Sequence, residues 1–197
     1  MSQINLVKGQ KINLAKSDGT SLTKFCAGAN WGVLPSGEAV DLDLYAATFD
    51  ANGNTVEIIG FGEEWASRNG AILHSGDDLV GDEDGDDGLD NEIVTVDLSR
   101  LDARVEKIAL FLTSFGGHDF ARVPHASVRI YEGTNERVTN VIARYDIGRE
   151  PSFSGSVVMV MGMFYRYKGA WKFNAIGVPT SDTDYRGAMQ SIKRMFL

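Results

Sequence analysis

Apolar and polar residues alternate at period two along much of the chain. In Val40-Asp41-Leu42-Asp43-Leu44 the apolar side chains fall on one face of a strand and both aspartates on the other. Glu92-Ile93-Val94-Thr95-Val96-Asp97-Leu98 repeats the pattern more weakly with β-branched enrichment, and Ala126-Ser127-Val128-Arg129-Ile130-Tyr131 repeats it again. Further strands are predicted at 22–29, 55–61, 71–74, 105–113, 138–145, 156–167 and 170–176, with 8–16 as an edge strand. Turn clusters such as Asn52-Gly53-Asn54, Gly116-Gly117 and Lys168-Gly169 bound them. Helical spacing occurs only at the C-terminus, in Tyr185, Met189, Ile192 and Phe196, with capping side chains at 181–184. About ten strands at regular spacing, without helical patterns between them, predict an all-β fold: an antiparallel β-sandwich with a C-terminal helix.

The 197 residues, 43% of them hydrophobic, suffice for one core and one domain spanning 1–197. There is no run of eighteen apolar residues and no signal-peptide layout at the start, so a cytoplasmic protein without membrane insertion is expected. The single cysteine, Cys26, can make no internal disulfide and reads as a small buried hydrophobe.

Charge changes the picture more than composition does. The net charge is −8, yet the segment 76–92 alone holds nine carboxylates (Asp77, Asp78, Asp82, Glu83, Asp84, Asp86, Asp87, Asp90, Glu92) and no basic residue, which leaves +1 for the rest. A field so confined collects cations and repels nucleic acid. Calcium takes six to eight oxygens at about 2.3–2.6 Å, and a glycine-punctuated loop of short acidic side chains supplies such oxygens. Without a cation the crowded carboxylates repel one another, and the loop is expected to be strained or disordered. An EF-hand is rejected: starting from Asp82, Asp87 stands where glycine is needed and Ile93 where glutamate is needed. Asp41 and Asp43, two like charges about 6–7 Å apart on one face of a strand, call for a nearby Lys or Arg or for the same metal.

The run His74-Ser75-Gly76-Asp77-Asp78-Leu79-Val80-Gly81-Asp82-Glu83-Asp84-Gly85-Asp86-Asp87, followed by the strand from Glu92, resembles the signature of the TerD family of tellurium-resistance and stress proteins. Leu6-Val7-Lys8-Gly9-Gln10, Trp31, Asp41-Leu42-Asp43 and Trp171–Gly177 resemble other parts of that family, with its TerX- or TerZ-like branch as the nearest. The resemblance implies a cytoplasmic, bacterial, calcium-binding β-sandwich without catalysis, holding two Ca²⁺ ions and acting with a membrane partner of the TerC type and other Ter proteins. By match to the motif it assigns metal ligation to Asp77, Asp84, Asp86 and Asp87 and to Asp41 and Asp43. The glutamate expected directly after the double aspartate is displaced by Gly88-Leu89-Asp90-Asn91, which leaves the last ligand open between Asp90 and Glu92.

A calcium-dependent carbohydrate-binding module shares the acidic loop. A magnesium-dependent phosphatase would use Asp41 and Asp43 as nucleophile and acid, but it needs a doubly wound α/β sheet that the strand pattern does not predict. Triads find no support, because there is no Gly-x-Ser-x-Gly and His74, His118 and His125 are scattered. Glu63-Glu64-Trp65 reads as a solvated turn.

Overall fold

The computed structural model describes residues 3–16, 18–83, 85–147 and 150–197. The described strands are β1 (Ile4–Asn5), β2 (Lys11–Asn13), β3 (Lys24–Trp31), β4 (Leu42–Phe49), β5 (Thr55–Ile59), β6 (Ile72–His74), β7 (Glu92–Asp97), β8 (Lys107–Ser114), β9 (Ala126–Thr134), β10 (Arg137–Ile147), β11 (Val158–Tyr167) and β12 (Ala170–Thr180), followed by helix α1 (Tyr185–Phe196). They form two six-stranded sheets, ordered β1-β10-β9-β3-β7-β6 and β2-β12-β11-β8-β4-β5. All pairings between these strands are antiparallel except β1 with β10. The expected sandwich is therefore present. The 8–16 segment supplies β2 at a sheet edge, while β1, two residues long, is too short to show a period.

Between the sheets the inner faces bury Phe25, Trp31, Leu42, Leu44, Leu110 and Phe164 in one continuous core. Each fully buried side chain of this size contributes roughly 1.5–3 kcal/mol. On the outer face of the second sheet, Tyr45, Phe49 and Phe111 pack under Ala188, Met189 and Ile192 of α1. Strand β4 is thus buried on both faces along its whole length. Asp184 caps α1 by accepting from the Gly187 N–H at 2.9 Å, and Lys193 and Arg194 lie in its last turn. Cys26 is fully buried, and burial pushes its thiol pKa up.

Candidate metal centre

The β4 alternation brings Asp41 and Asp43 to one face, and the loop after β6 brings Asp77 to them. One carboxylate oxygen from each lies within 4.8 Å of the others. Asp43 is 3% exposed and its Oδ2 accepts from Thr113 Oγ1 at 3.0 Å across the β4–β8 ladder. The Oδ1 atom of Asp41 is buried with no hydrogen-bond partner among the described residues. Neither aspartate forms an ion pair among those residues, so of the two neighbours the sequence left open, no Lys or Arg is the one supplied.

The electrostatics follow from that arrangement. Burial, opposed by the Thr113 hydrogen bond and reinforced by Glu92, Asp41 and Asp77, pushes the Asp43 pKa up to about 7. Burial and the charges of Asp77, Glu92 and Asp78 push Asp41 up to about 6. A buried, unpartnered carboxylate oxygen among like charges favours a cation, and three oxygen donors suit a hard divalent ion such as calcium. The residues fit the ion that the sequence implies.

Glu92 borders this trio with a different task. It is 1% exposed, and its oxygens accept from Leu44 N at 2.6 Å and from Asp78 N at 3.1 Å. His74 completes the contact: Nδ1 accepts from Gly76 N at 3.1 Å, which places the ring proton on Nε2, 2.9 Å from Leu44 O and 3.5 Å from Glu92 Oε2.

Most of the other acidic residues spend their oxygens on the loop itself. Asp78 Oδ1 accepts from Val80 N and Gly81 N, and Asp82 accepts from Asn30 Nδ2 at 2.8 Å and Asn91 Nδ2 at 2.9 Å. Asp86 and Asp87 are exposed and accept from Gly88 N and Leu89 N, apart from the trio. Asp90 lies elsewhere: its carboxylate sits over Gly28 with Arg129 Nε 2.8 Å from Oδ1, and burial pushes its pKa up against the pull of that guanidinium. Asp84 lies outside the described residues. Of the eight predicted positions the structure gathers Asp41, Asp43 and Asp77. It sets Glu92 beside them as a backbone anchor and places Asp86, Asp87 and Asp90 away.

Trp31 is the positioning residue that spacing did not reveal. Its Nε1 donates to Val40 O at 2.7 Å, directly before Asp41, and its carbonyl accepts from Asp82 N at 3.0 Å. A Cβ on Gly81, whose φ is +72°, would stand 2.6 Å from the Trp31 ring, so the loop closes on the tryptophan only with glycine there. One indole therefore registers the acidic loop against the strand that carries Asp41 and Asp43.

Comparison with known proteins places this geometry in context. The sequence matches the TerD domain family over residues 1–190. It is 33% identical over 184 residues to tellurium resistance protein TerZ of Serratia marcescens, covering 88% of this chain and 89% of that protein. It is 34% identical over 197 residues to general stress protein 16U of Bacillus subtilis (strain 168), covering 96% and 94%. Among solved structures, the protein of unknown function SAV2460 aligns with a TM-score of 0.66 at 26% identity, over 85% of this chain and 95% of that one. A homologue of telluride resistance protein TerD, SCO6318 from Streptomyces coelicolor A3(2), aligns with a TM-score of 0.65 over 85% and 96%; at 19% identity that likeness concerns the fold alone.

Proposed function

The chain belongs to the TerD family, a tellurium-resistance and general stress-response family, and on that premise we propose that it is a calcium-binding sensor or scaffold without catalytic activity. Asp41, Asp43 and Asp77 would hold the ion. The observation that supports this most directly is the convergence of three carboxylates, one of which, Asp41, keeps a buried oxygen that has no partner among the described residues.

Three side-chain oxygens leave several of calcium's six to eight positions for water or carbonyl oxygens, which suits calcium's flexible coordination better than the strict octahedron of magnesium. Binding would release the protons that Asp41 and Asp43 hold near neutral pH, leave the trio with one net negative charge and fix Asp77 beside Asp78, whose N–H Glu92 holds. A local charge change would thus order the loop and alter the surface offered to a partner. A TerC-type membrane protein and other Ter proteins are the proposed readers of that surface. No helix among the described residues is long and apolar enough to cross a membrane.

The phosphatase reading loses its structural requirement, because two packed β-sheets with a single α-helix offer no doubly wound α/β scaffold among the described residues. Calorimetry with Ca²⁺ and Mg²⁺ on the wild type and on Asp43→Asn tests the proposal. Calcium-preferring binding that disappears in the variant is expected. Equal, weak uptake of both ions, or an unchanged isotherm in Asp43→Asn, would sink it.

A further inference from the structure

A cleft of about 380 Å³ opens beside the carboxylate trio and shares Asp43 with it. Its walls come from the start of β4, the end of β8, the turn after β5 and the N-terminus of α1. Two rings stand at its mouth. Phe115 is 69% exposed and Phe61 36% exposed, and they meet edge to face with centroids 5.7 Å apart. Phe115 is also tied to the metal centre through its backbone, since its N–H donates to Asp41 O at 3.1 Å. Large rings left in water next to a polar cleft mark a binding site more often than scattered single exposures do.

The polar groups narrow the ligand. Tyr45 and Tyr185 also line the cleft, but their hydroxyls are engaged by Phe61 O and Glu63, so they offer ring surface. Ser114 lines it too; it is 6% exposed, and its Oγ has no hydrogen-bond partner among the described residues. A buried hydroxyl without a partner is destabilising, and a ligand hydroxyl would offset that cost. Charge excludes much else. Asp43, Asp184 and the acidic loop repel an anion. The divalent ion proposed for the trio cancels most of its charge, and Arg186, whose guanidinium lies 4.9 Å over the Tyr185 ring, opposes a cation. What remains is a neutral molecule with one apolar face and several hydroxyls.

We propose that this cleft binds a carbohydrate, with the C–H face of a sugar ring on Phe115 and Phe61, one hydroxyl on Ser114 and a vicinal diol completing the coordination of the metal at Asp41, Asp43 and Asp77. This rests on the calcium reading, because three carboxylate donors leave ligand positions open for hydroxyl oxygens.

Saturation-transfer NMR with the methyl glycosides of mannose, galactose, glucose, fucose and N-acetylglucosamine at millimolar concentration tests it, each in calcium and again in excess chelator. Calorimetry of calcium alone runs in parallel. At least one glycoside is expected to bind in calcium and to weaken about tenfold or more in chelator, in Phe115→Ala and in Ser114→Ala. Phe115→Ala removes an exposed ring, and its calcium isotherm should match the wild type. Silence from every glycoside overturns the inference, as does binding that ignores the chelator or the Phe115 ring. A normal calcium isotherm with silent glycosides removes the carbohydrate inference alone, whereas a flat calcium isotherm removes the calcium reading itself.

Discussion

The Glu92 carboxylate accepts a 2.6 Å hydrogen bond from the Leu44 N–H, joining β7 of one sheet to β4 of the other. Leu44 pairs with Leu112 on one side, whereas the β4–β5 ladder begins only at Ala46, so the opposite edge of β4 is open for Glu92. The same carboxylate accepts from Asp78 N, and so one buried anion locks the two sheets and the root of the acidic loop together. This arrangement explains why a charge is kept 1% exposed in a crowded acidic neighbourhood.

Removing that acceptor has a defined outcome. Glu92→Ala strands the buried Leu44 N–H, at roughly 1–3 kcal/mol, and the half-buried Asp78 N–H, and leaves a void besides, so a loss of about 3–5 kcal/mol in urea unfolding is expected. Glu92→Gln keeps an acceptor oxygen and should lose less than half as much. Similar losses for the two variants would contradict the hydrogen-bonding account.

Asp90 separates a structural carboxylate from a metal-binding one. Arg129 has Nε 2.9 Å from Asp90 Oδ2 and donates through Nη2 to Gly88 O, with 14% of its side chain exposed. Asp90→Ala leaves that guanidinium largely buried without its counter-ion, for an expected loss of about 3–5 kcal/mol. Gly28→Ala should be comparably harmful, because its Cβ would fall 1.8 Å from Asp90 Oδ2. Calcium affinity, compared in the folded proteins, should remain unchanged in Asp90→Asn; a large loss would make Asp90 a ligand after all.

The β4 alternation placed Asp41 and Asp43 on one face because a pleated strand allows nothing else, and the helix periodicity of Tyr185, Met189, Ile192 and Phe196 gave α1 directly. The acidic segment was legible as a charge concentration but not in its division of labour. Aspartates that close turns onto nearby N–H groups, as Asp78, Asp86 and Asp87 do, have the same composition as aspartates left for a cation. The Asp86-Asp87-Gly88 succession was the available hint, since an aspartate two residues before a glycine commonly accepts that glycine's N–H. Asp90 with Arg129, Glu92 with Leu44 and Trp31 with Gly81 join residues 39, 48 and 50 positions apart, and no local period encodes such pairs.

The pH dependence of the metal-free protein should run against that of ordinary carboxylates. Asp43 is pushed up to about 7 and Asp41 to about 6 from the usual 3.8 of an unfolded chain. The folded state therefore holds more protons than the unfolded state between those limits, and this contribution to stability is full below about pH 4 and lost as pH rises through 6 and 7. Urea midpoints in chelator for wild type and Asp43→Asn isolate the effect. The advantage of the variant should widen from pH 5 to pH 8, whereas a constant gap would mean that Asp43 does not titrate in that window.

Asp43→Asn should accordingly trade function for stability. In chelator the amide removes a buried like charge beside Asp41 and Glu92 while an amide oxygen can still accept from Thr113, so the variant is expected to unfold at a higher temperature than the wild type. Saturating calcium should reverse the order. An ion at 100 times its dissociation constant stabilises the wild type by about 2.7 kcal/mol, and the variant gains far less because it has lost one of three converging carboxylates. Asp86→Asn with Asp87→Asn, which alters only the exposed turn, should leave the calcium-induced rise intact. Differential scanning calorimetry of the three proteins, each with calcium and with chelator, reads both effects at once. A calcium-induced rise in Asp43→Asn equal to that of the wild type, or its loss in the Asp86 and Asp87 double variant, would move the ion away from β4 and out to the loop tip.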